Sequence, residues 1–292
     1  MKITGIHHVT AITGDPQRNL DFYTQMPGLR LVKLTVNFDD PGTWHFYFGD
    51  EAGRPGSILT FFPWRGAQPG RRGSGETSVV SFAVPSLDDR AARLPASTCS
   101  SRFGQDYLAF ADPDGMQLEL VATGGPGSRI TGFHGVTLSE ARHEATAKLL
   151  TATFGYELLR HEGNRFHYGG TAGNIVDLPI GPDLRRGFQS AGTVHHVAFR
   201  ARTDKIQNAL LVELAEHGFH TTEVLDREYF HSIYFREPGG VLFEIATDPP
   251  GFAIDEPPEA LATALKLPPW LESRRAGIQQ MLPKLELPTY AG

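Results

Sequence analysis

The chain has 292 residues, enough for two compact domains or one large one, and its 40% apolar content with 19 Phe suits a well-packed globule. A net charge of −6 without a basic stripe argues against nucleic acid as a partner, and apolar runs of only strand length argue against a membrane span. Cys99 is the single cysteine, which excludes a disulfide framework and suits a reducing cytoplasm.

Taken in chain order, Met1–His8 lacks a signal-peptide core and leads into a strand over Ile3–Thr10. Asp15-Pro16 reads as an N-cap followed by proline at the first helical position, opening a short amphipathic helix with Leu20, Phe22 and Tyr23. Strand-like runs follow at Leu29–Val36, Trp44–Phe48 and Ser57–Phe62, and the Gly/Arg-rich stretch Arg65–Gly75 reads as a connection. A second unit holds a strand at Ser78–Val84, a short helix around Leu87–Leu94, and strands at Tyr107–Phe110 and Met116–Val121. Between them Ser97, Thr98, Ser100 and Ser101 make Cys99 part of a linker rather than a nucleophile. A third unit starts at Ile130, with a helix around Glu140–Phe154 and strands at Tyr156–His161, Arg165–Tyr168 and Asn174–Leu178. The fourth starts at Thr193, with a helix at Asp204–His217 and strands near Thr221–Leu225, His231–Arg236 and Val241–Ala246. Beyond Asp248 a Pro-rich tail carries one helix around Trp270–Leu282, either a packing strap or a lid.

Two echoes organise these units. Ile3–Thr10 recurs as Ile130–Thr137 with six of eight residues matching at an offset of 127. Asp112-Pro113-Asp114-Gly115 through Glu119 recurs as Glu237-Pro238-Gly239-Gly240 through Glu244 at an offset of 125. The expected architecture is therefore α+β: four βαβββ modules, two in each duplicated half (1–125 and 126–248), with residues 249–292 as an extension. A one-helix sheet of this size cannot bury both faces alone, so the modules should pair and curl around a shared cavity.

Imidazoles and carboxylates within apolar strands need partners. His7-His8, His195-His196 and Glu244 all lie in such runs. Side chains alternate faces along a strand, so His8 shares a face with Ile6 and Thr10, His196 with Ala198, and Glu244 with Leu242 and Ala246. The bulky Val197, Phe199, Phe243 and Ile245 lie on the opposite faces and suit packing against a helix, which leaves the second histidine of each pair facing the cavity. Gly135 stands at the repeat position of His8, and the strand Val79–Phe82 has no histidine, so one complete set exists: His8, His196 and Glu244. Two histidines and a carboxylate with open positions form the set that holds non-haem Fe(II) in oxygenases; Mn(II) accepts the same donors. If Pro238-Gly239-Gly240 is a three-residue hairpin loop, Tyr234 lies opposite Glu244; a four-residue loop would put Ile233 there. Arg227 offers a guanidinium for an anionic oxygen, although spacing alone leaves it a surface residue.

The chain resembles the vicinal oxygen chelate proteins, the superfamily of glyoxalase I and the extradiol dioxygenases, and within it the ring-cleaving dioxygenases acting on hydroquinones. The resemblance spans nearly the whole chain. It rests on Gly5–Thr10, Phe46–Asp50 with Gly53–Gly56, Thr60–Pro63, Arg102–Gln105, Glu162–Arg165, His195–Phe199, and Pro238–Val241 with Phe243-Glu244. It implies the paired βαβββ fold, metal on His8, His196 and Glu244, and nearby roles for Thr10, His7, His195, Arg227 and Tyr234. We take Tyr234, Arg227 and His195 as catalytic and Thr10 and His7 as substrate-binding. Alternation turns His7 and His195 away from the metal, so a bulge is needed to bring them in. The implied partners are a small aromatic diol and O2, in a cytoplasmic protein for which a homo-oligomer is compatible. Rival readings are a catechol extradiol dioxygenase, a glyoxalase-type isomerase, which normally needs four ligands, and a metal-free resistance protein of the same fold.

Overall fold

The structure, a computed structural model, describes residues 3–26, 28–88, 94 and 96–288. The first module runs β1 (Ile6–Thr13), α1 (Pro16–Thr24), β2 (Arg30–Asn37), β3 (Asp40–Gly49) and β4 (Ile58–Pro63). Asp15 caps α1 by accepting from the Arg18 amide at 2.9 Å, with proline at the first turn as its sequence requires. The second module has β5 (Glu76–Val84), β6 (Thr98–Arg102), β7 (Gln105–Ala111) and β8 (Gln117–Ala122). The helix expected around Leu87–Leu94 lies largely outside the described residues. Cys99 belongs to β6 rather than to a linker; β6 is an exposed edge strand held by backbone pairing to β7, and such a strand needs no apolar face to form.

The third module has β9 (Gly132–Ser139), α2 (Glu144–Lys148), β10 (Glu157–Glu162), β11 (Arg165–Gly169) and β12 (Ile175–Pro179). Its helix starts later than Glu140, because Glu140 is bridged to Ile180, and α2 continues as a π-helical segment, Leu149–Phe154, closed by Gly155 at φ 81°. The fourth module has β13 (Thr193–Arg200), α3 (Asp204–Glu216), β14 (Leu225–Asp226), β15 (Phe230–Arg236) and β16 (Leu242–Pro250). The strand expected over Thr221–Leu225 shrinks to the two residues of β14. His220–Val224 is mostly exposed, with no apolar face to bury, and touches β15 through Thr222.

The two sheets run β14-β15-β16-β13-β1-β4-β3-β2 and β10-β11-β12-β9-β5-β8-β7-β6, each curled into a half-barrel. The first module thus pairs with the fourth, and the second with the third. Each sheet takes four strands from each sequence half, so residues 1–125 and 126–248 interleave rather than form separate bodies. Behind the first sheet Val197, Phe199, Phe243 and Ile245 are fully buried; Phe154 packs tilted against Phe199 with ring centroids 4.8 Å apart, with Leu210 and Leu214 of α3 in the same core.

The tail forms two short helices rather than one, α4 (Pro269–Glu272) and α5 (Arg275–Met281), broken at Ser273–Arg274. It straps the β2–β3 side: the Lys266 amide donates to Leu34 O, and Trp44 Nε1 to Pro283 O. The fully buried Lys33 ammonium clasps it, reaching Asp255 and Glu256 at 2.5 Å and Phe252 O at 3.1 Å. No helix among the described residues is long and apolar enough to cross a membrane.

Candidate metal centre

Register brings the three ligand candidates together. Antiparallel pairing of β1 with β13 sets His8 beside Ala198 and Thr10 beside His196, while parallel pairing of β13 with β16 sets Ala198 beside Glu244. Ala198, fully buried, is the small floor between His8 and Glu244, and His196 stands two residues along on the same face. His196 Nε2 lies 2.9 Å and His8 Nε2 3.3 Å from Glu244 Oε2, and the two Nε2 atoms are 3.4 Å apart. The donor atoms of all three lie within 4.8 Å of one another, and all three residues are buried. Burial alone would push the Glu244 carboxyl up; the facing imidazoles of His8 and His196 outweigh it and hold the group well below the usual carboxylate range. Glu244 Oε2 has no hydrogen-bond donor among the described residues. A buried carboxylate oxygen facing two imidazole nitrogens fits a cation better than it fits any protein group present.

Two bulges change what alternation predicted for the other histidines. The β1–β13 register slips between Ile6 and His8, leaving His7 as the extra residue, and again between Thr10 and Ala11, leaving His195 as the extra residue on β13. Each bulge turns its histidine onto the neighbouring one: His7 Nδ1 is 2.9 Å from His8 Nδ1, and His195 Nδ1 is 2.7 Å from His196 Nδ1. A ligand that gives its Nε2 lone pair to a metal carries its proton on Nδ1 and must donate it. With a metal on His8 and His196 the acceptors would be His7 and His195, which would then hold their own protons on Nε2. Burial pushes the His7 imidazolium well below its usual range and His195 down to about 3, so both stay neutral acceptors. His195 lines the cavity. His7, expected at the substrate, does not; it sits behind His8 against Phe230, with ring centroids 5.1 Å apart.

The cavity lined by His8 and His196 has a volume of about 240 Å³. Thr10, Arg227 and Tyr234 line it, with Phe62 and Trp64 as apolar walls. Pro238-Gly239-Gly240 closes as a three-residue loop, with the Glu237 amide donating to Val241 O at 3.0 Å, and the resulting register puts Tyr234 opposite Glu244. Burial, then the Glu244 charge, pushes the Tyr234 phenol well up, so it keeps its proton. The Arg227 guanidinium lies 5.3 Å over the Tyr234 ring and pairs with Asp39 at 3.0 Å.

Ser232 and His45 are among the residues of this site that escape the sequence reading. Ser232, fully buried, donates to Glu244 Oε1. It shares a face with Tyr234, so the alternation that located Tyr234 contained the signal. His45 lines the cavity from β3 and is the lone imidazole in the aromatic run Trp44–Phe48. Among the described residues no tail residue lines the cavity; the tail packs behind its walls, through the Tyr47–Phe252 and Phe38–Trp270 ring contacts at 5.1 and 5.8 Å, which makes it a strap rather than a lid.

The second sheet holds the other copy of the scaffold. Ser81 pairs with Gly135 and with Glu119, as Ala198 pairs with His8 and Glu244. A Cβ on Gly135 would lie 2.3 Å from Ile175 O, so no histidine fits there. Glu119 is instead gripped by Arg102 through two hydrogen bonds of 3.0 and 2.7 Å, and the same guanidinium reaches Asp177 at 3.1 Å. A fixed protein cation occupies the position where the first sheet has its three convergent donors.

Comparison with known proteins agrees with this geometry. The family model described as Glyoxalase/Bleomycin resistance protein/Dioxygenase superfamily matches residues 5–120 and 124–245. The chain is 46% identical over 306 residues to "Putative ring-cleaving dioxygenase MhqO" of Bacillus subtilis, covering 98% of each. It is 35% identical over 304 residues to the "Chlorohydroquinone/hydroquinone 1,2-dioxygenase" of Sphingobium indicum, covering 93% of each. A crystal structure titled as a putative dioxygenase from Bacillus subtilis superposes with a TM-score of 0.92 at 46% identity, covering 99% of each chain. Glyoxalase I from Zea mays shares the fold, with a TM-score of 0.62 at 16% identity over 84% of this chain and 92% of that one.

Proposed function

The chain belongs to the Glyoxalase/Bleomycin resistance protein/Dioxygenase superfamily, and on that premise we propose that it opens the ring of a hydroquinone-type diol with O2, using Fe(II) held by His8, His196 and Glu244. The observation that carries the proposal is the convergence of donor atoms from three buried residues within 4.8 Å, two of which, His8 and His196, line a cavity. Two imidazoles and a carboxylate with the remaining positions open suit Fe(II), and Mn(II) accepts the same donors. Bound there, the metal would supply adjacent open positions for a ring oxygen and O2 and a path for electrons between them.

The chain's own residues do the rest. An apolar cavity of roughly 150 Å³ suffices for benzene, so about 240 Å³ suits one substituted ring. Phe62 and Trp64 present apolar walls to that ring and keep water off its faces. Tyr234, protonated and beside the ligands, donates to oxygen where negative charge develops, and Arg227 adds a fixed positive charge on the same side. His195 holds a proton on Nε2 at the cavity wall, a second donor near His196. Thr10 adds a hydroxyl beside His196. Among the described residues one His/Glu group can hold a metal, and it has three members, which disfavours a four-ligand isomerase. The hydroquinone named for the Sphingobium indicum relative favours a para-diol over a catechol.

The test is oxygen uptake. Protein purified without air and loaded with Fe(II) consumes O2 with hydroquinone, and His8→Ala loses both metal and uptake. No uptake with any hydroquinone or catechol would sink the dioxygenase reading, and full metal content in His8→Ala would sink the ligand set. Parallel loading with Mn(II) identifies the metal that supports turnover.

A further inference from the structure

Among the residues lining the cavity, His45 has no role in the reading above. Its ring packs against Tyr47 and Phe62, with centroids at 4.1 and 4.3 Å, which hold its plane. Its Nε2 lies 2.9 Å from Thr60 Oγ1, and Thr60 in turn donates to Thr10 Oγ1 at 2.8 Å. A threonine hydroxyl has one proton. Thr60 gives that proton to Thr10, so toward His45 it can only accept, and His45 carries its proton on Nε2. Nδ1 then presents a lone pair. It has no partner among the described residues and keeps some accessible surface, on a ring that lines the cavity. Burial, chiefly, keeps the imidazole neutral.

The strand order gives this lone pair its meaning. The ligands stand on β1, β13 and β16, whereas β3 lies two strands beyond β1, with β4 between. At the usual strand spacing that is roughly 10 Å along the sheet. A ring held by one oxygen at the ligands and lying along the cavity carries its para oxygen toward His45. Its ortho oxygen stays at the metal end.

We propose that His45 recognises the para hydroxyl of the substrate ring, accepting its O–H at Nδ1, with Thr60 and Thr10 holding the tautomer that makes Nδ1 an acceptor. The proposal rests on the diol reading and deepens it: the protein selects a ring with a hydrogen-bond donor para to the metal-bound oxygen. Phenol, which lacks that group, and 4-methoxyphenol, which has no proton there to give, bind more weakly.

Binding without turnover tests this. Protein loaded with Fe(II) in the absence of air is titrated with hydroquinone, phenol and 4-methoxyphenol, following intrinsic tryptophan fluorescence because Trp64 lines the cavity. The wild type holds hydroquinone about tenfold more tightly than either analogue, the scale of one buried hydrogen bond. In His45→Leu that preference falls to about twofold or less, the three ligands binding alike. His45→Asn, which keeps an acceptor of similar reach, retains part of it. Should His45→Leu bind all three ligands and keep the wild-type preference, or the wild type show no preference, the assignment of His45 is overturned. The readout needs no ring cleavage, so this failure is separate from a failure of oxygen uptake, which would count against the dioxygenase reading itself.

Discussion

Ser232→Ala tests whether the proposed metal centre depends on the carboxylate being held from behind. Ser232 Oγ donates to Glu244 Oε1, and both side chains are fully buried, so water cannot replace the lost donor. The change removes one oxygen and no carbon, which leaves packing almost untouched. A hydrogen bond to a charged group contributes about 1.5–3 kcal/mol. Loss of a partner that orients a metal ligand typically costs about 10–100-fold in affinity, or about 1.4–2.8 kcal/mol at 1.4 kcal/mol per decade. The two routes agree, and the expected result is a metal dissociation constant raised about 10–100-fold in Ser232→Ala. Competition against a chromophoric chelator at neutral pH measures it, with Ser232→Thr as the control that keeps the hydroxyl. If Ser232→Ala competes as well as the wild type while Glu244→Gln loses the metal, Oε1 needs no support and the argument is wrong.

Other parts of the molecule give further outcomes. Chelation lowers the thermal midpoint, because a ligand at about 100 times its dissociation constant stabilises by about 2.7 kcal/mol; an unchanged midpoint after verified metal removal would mean the three donors are not the site. Lys33→Met leaves Asp255 and the buried Glu256 unpaired. It costs about 3 kcal/mol, at the low end for a buried pair because Asp255 keeps some solvent, and limited proteolysis should cut the tail before the sheets. Arg102→Met takes the cation from Glu119, which keeps the Ser81 hydroxyl, while Asp177 keeps Arg165 and His167; it lowers stability by about 3 kcal/mol, the low end for a buried pair; metal content stays at the wild-type level, and a fall in it would tie the second sheet to the metal. Glu140 is buried against Glu237, and both of its oxygens lack a donor, so burial first and the facing carboxylate second hold its carboxyl well above the usual range. Such a group is protonated when folded and ionised when unfolded at neutral pH, so its penalty grows as pH rises above the unfolded value near 4.3. Glu140→Gln therefore stabilises at pH 7–8, and the gain disappears toward pH 4; denaturant melts at the two pH values decide it.

The candidate metal centre and its scaffold differ in how far sequence alone reaches. Side-chain alternation is a property of the strand itself, so Ile6-His7-His8-Val9-Thr10 and Val241–Ala246 already divide into two faces, and the repeat offsets single out His8 and Glu244 from Gly135 and Glu119. The hairpin opposite Glu244 is equally local: the length of one loop chooses Tyr234 over Ile233. Ser232 was within reach of the same argument, since it shares the Tyr234 face. The bulges at His7 and His195 were not. They arise where two strands about 190 residues apart slip in register, and no window of sequence contains both partners. The same holds for Lys33, whose burial is tolerable only because Asp255 and Glu256 arrive from the tail. It holds too for Arg102, which becomes a counter-charge only when Glu119 and Asp177 meet across the second sheet. The sequence by itself determined the modules, their duplication and the faces of their strands, because those follow from local periodicity and chain order. Which residues turn onto those faces from outside the pattern, and which charges are neutralised by distant parts of the chain, only the tertiary structure decided, because both depend on pairing between segments that meet after folding.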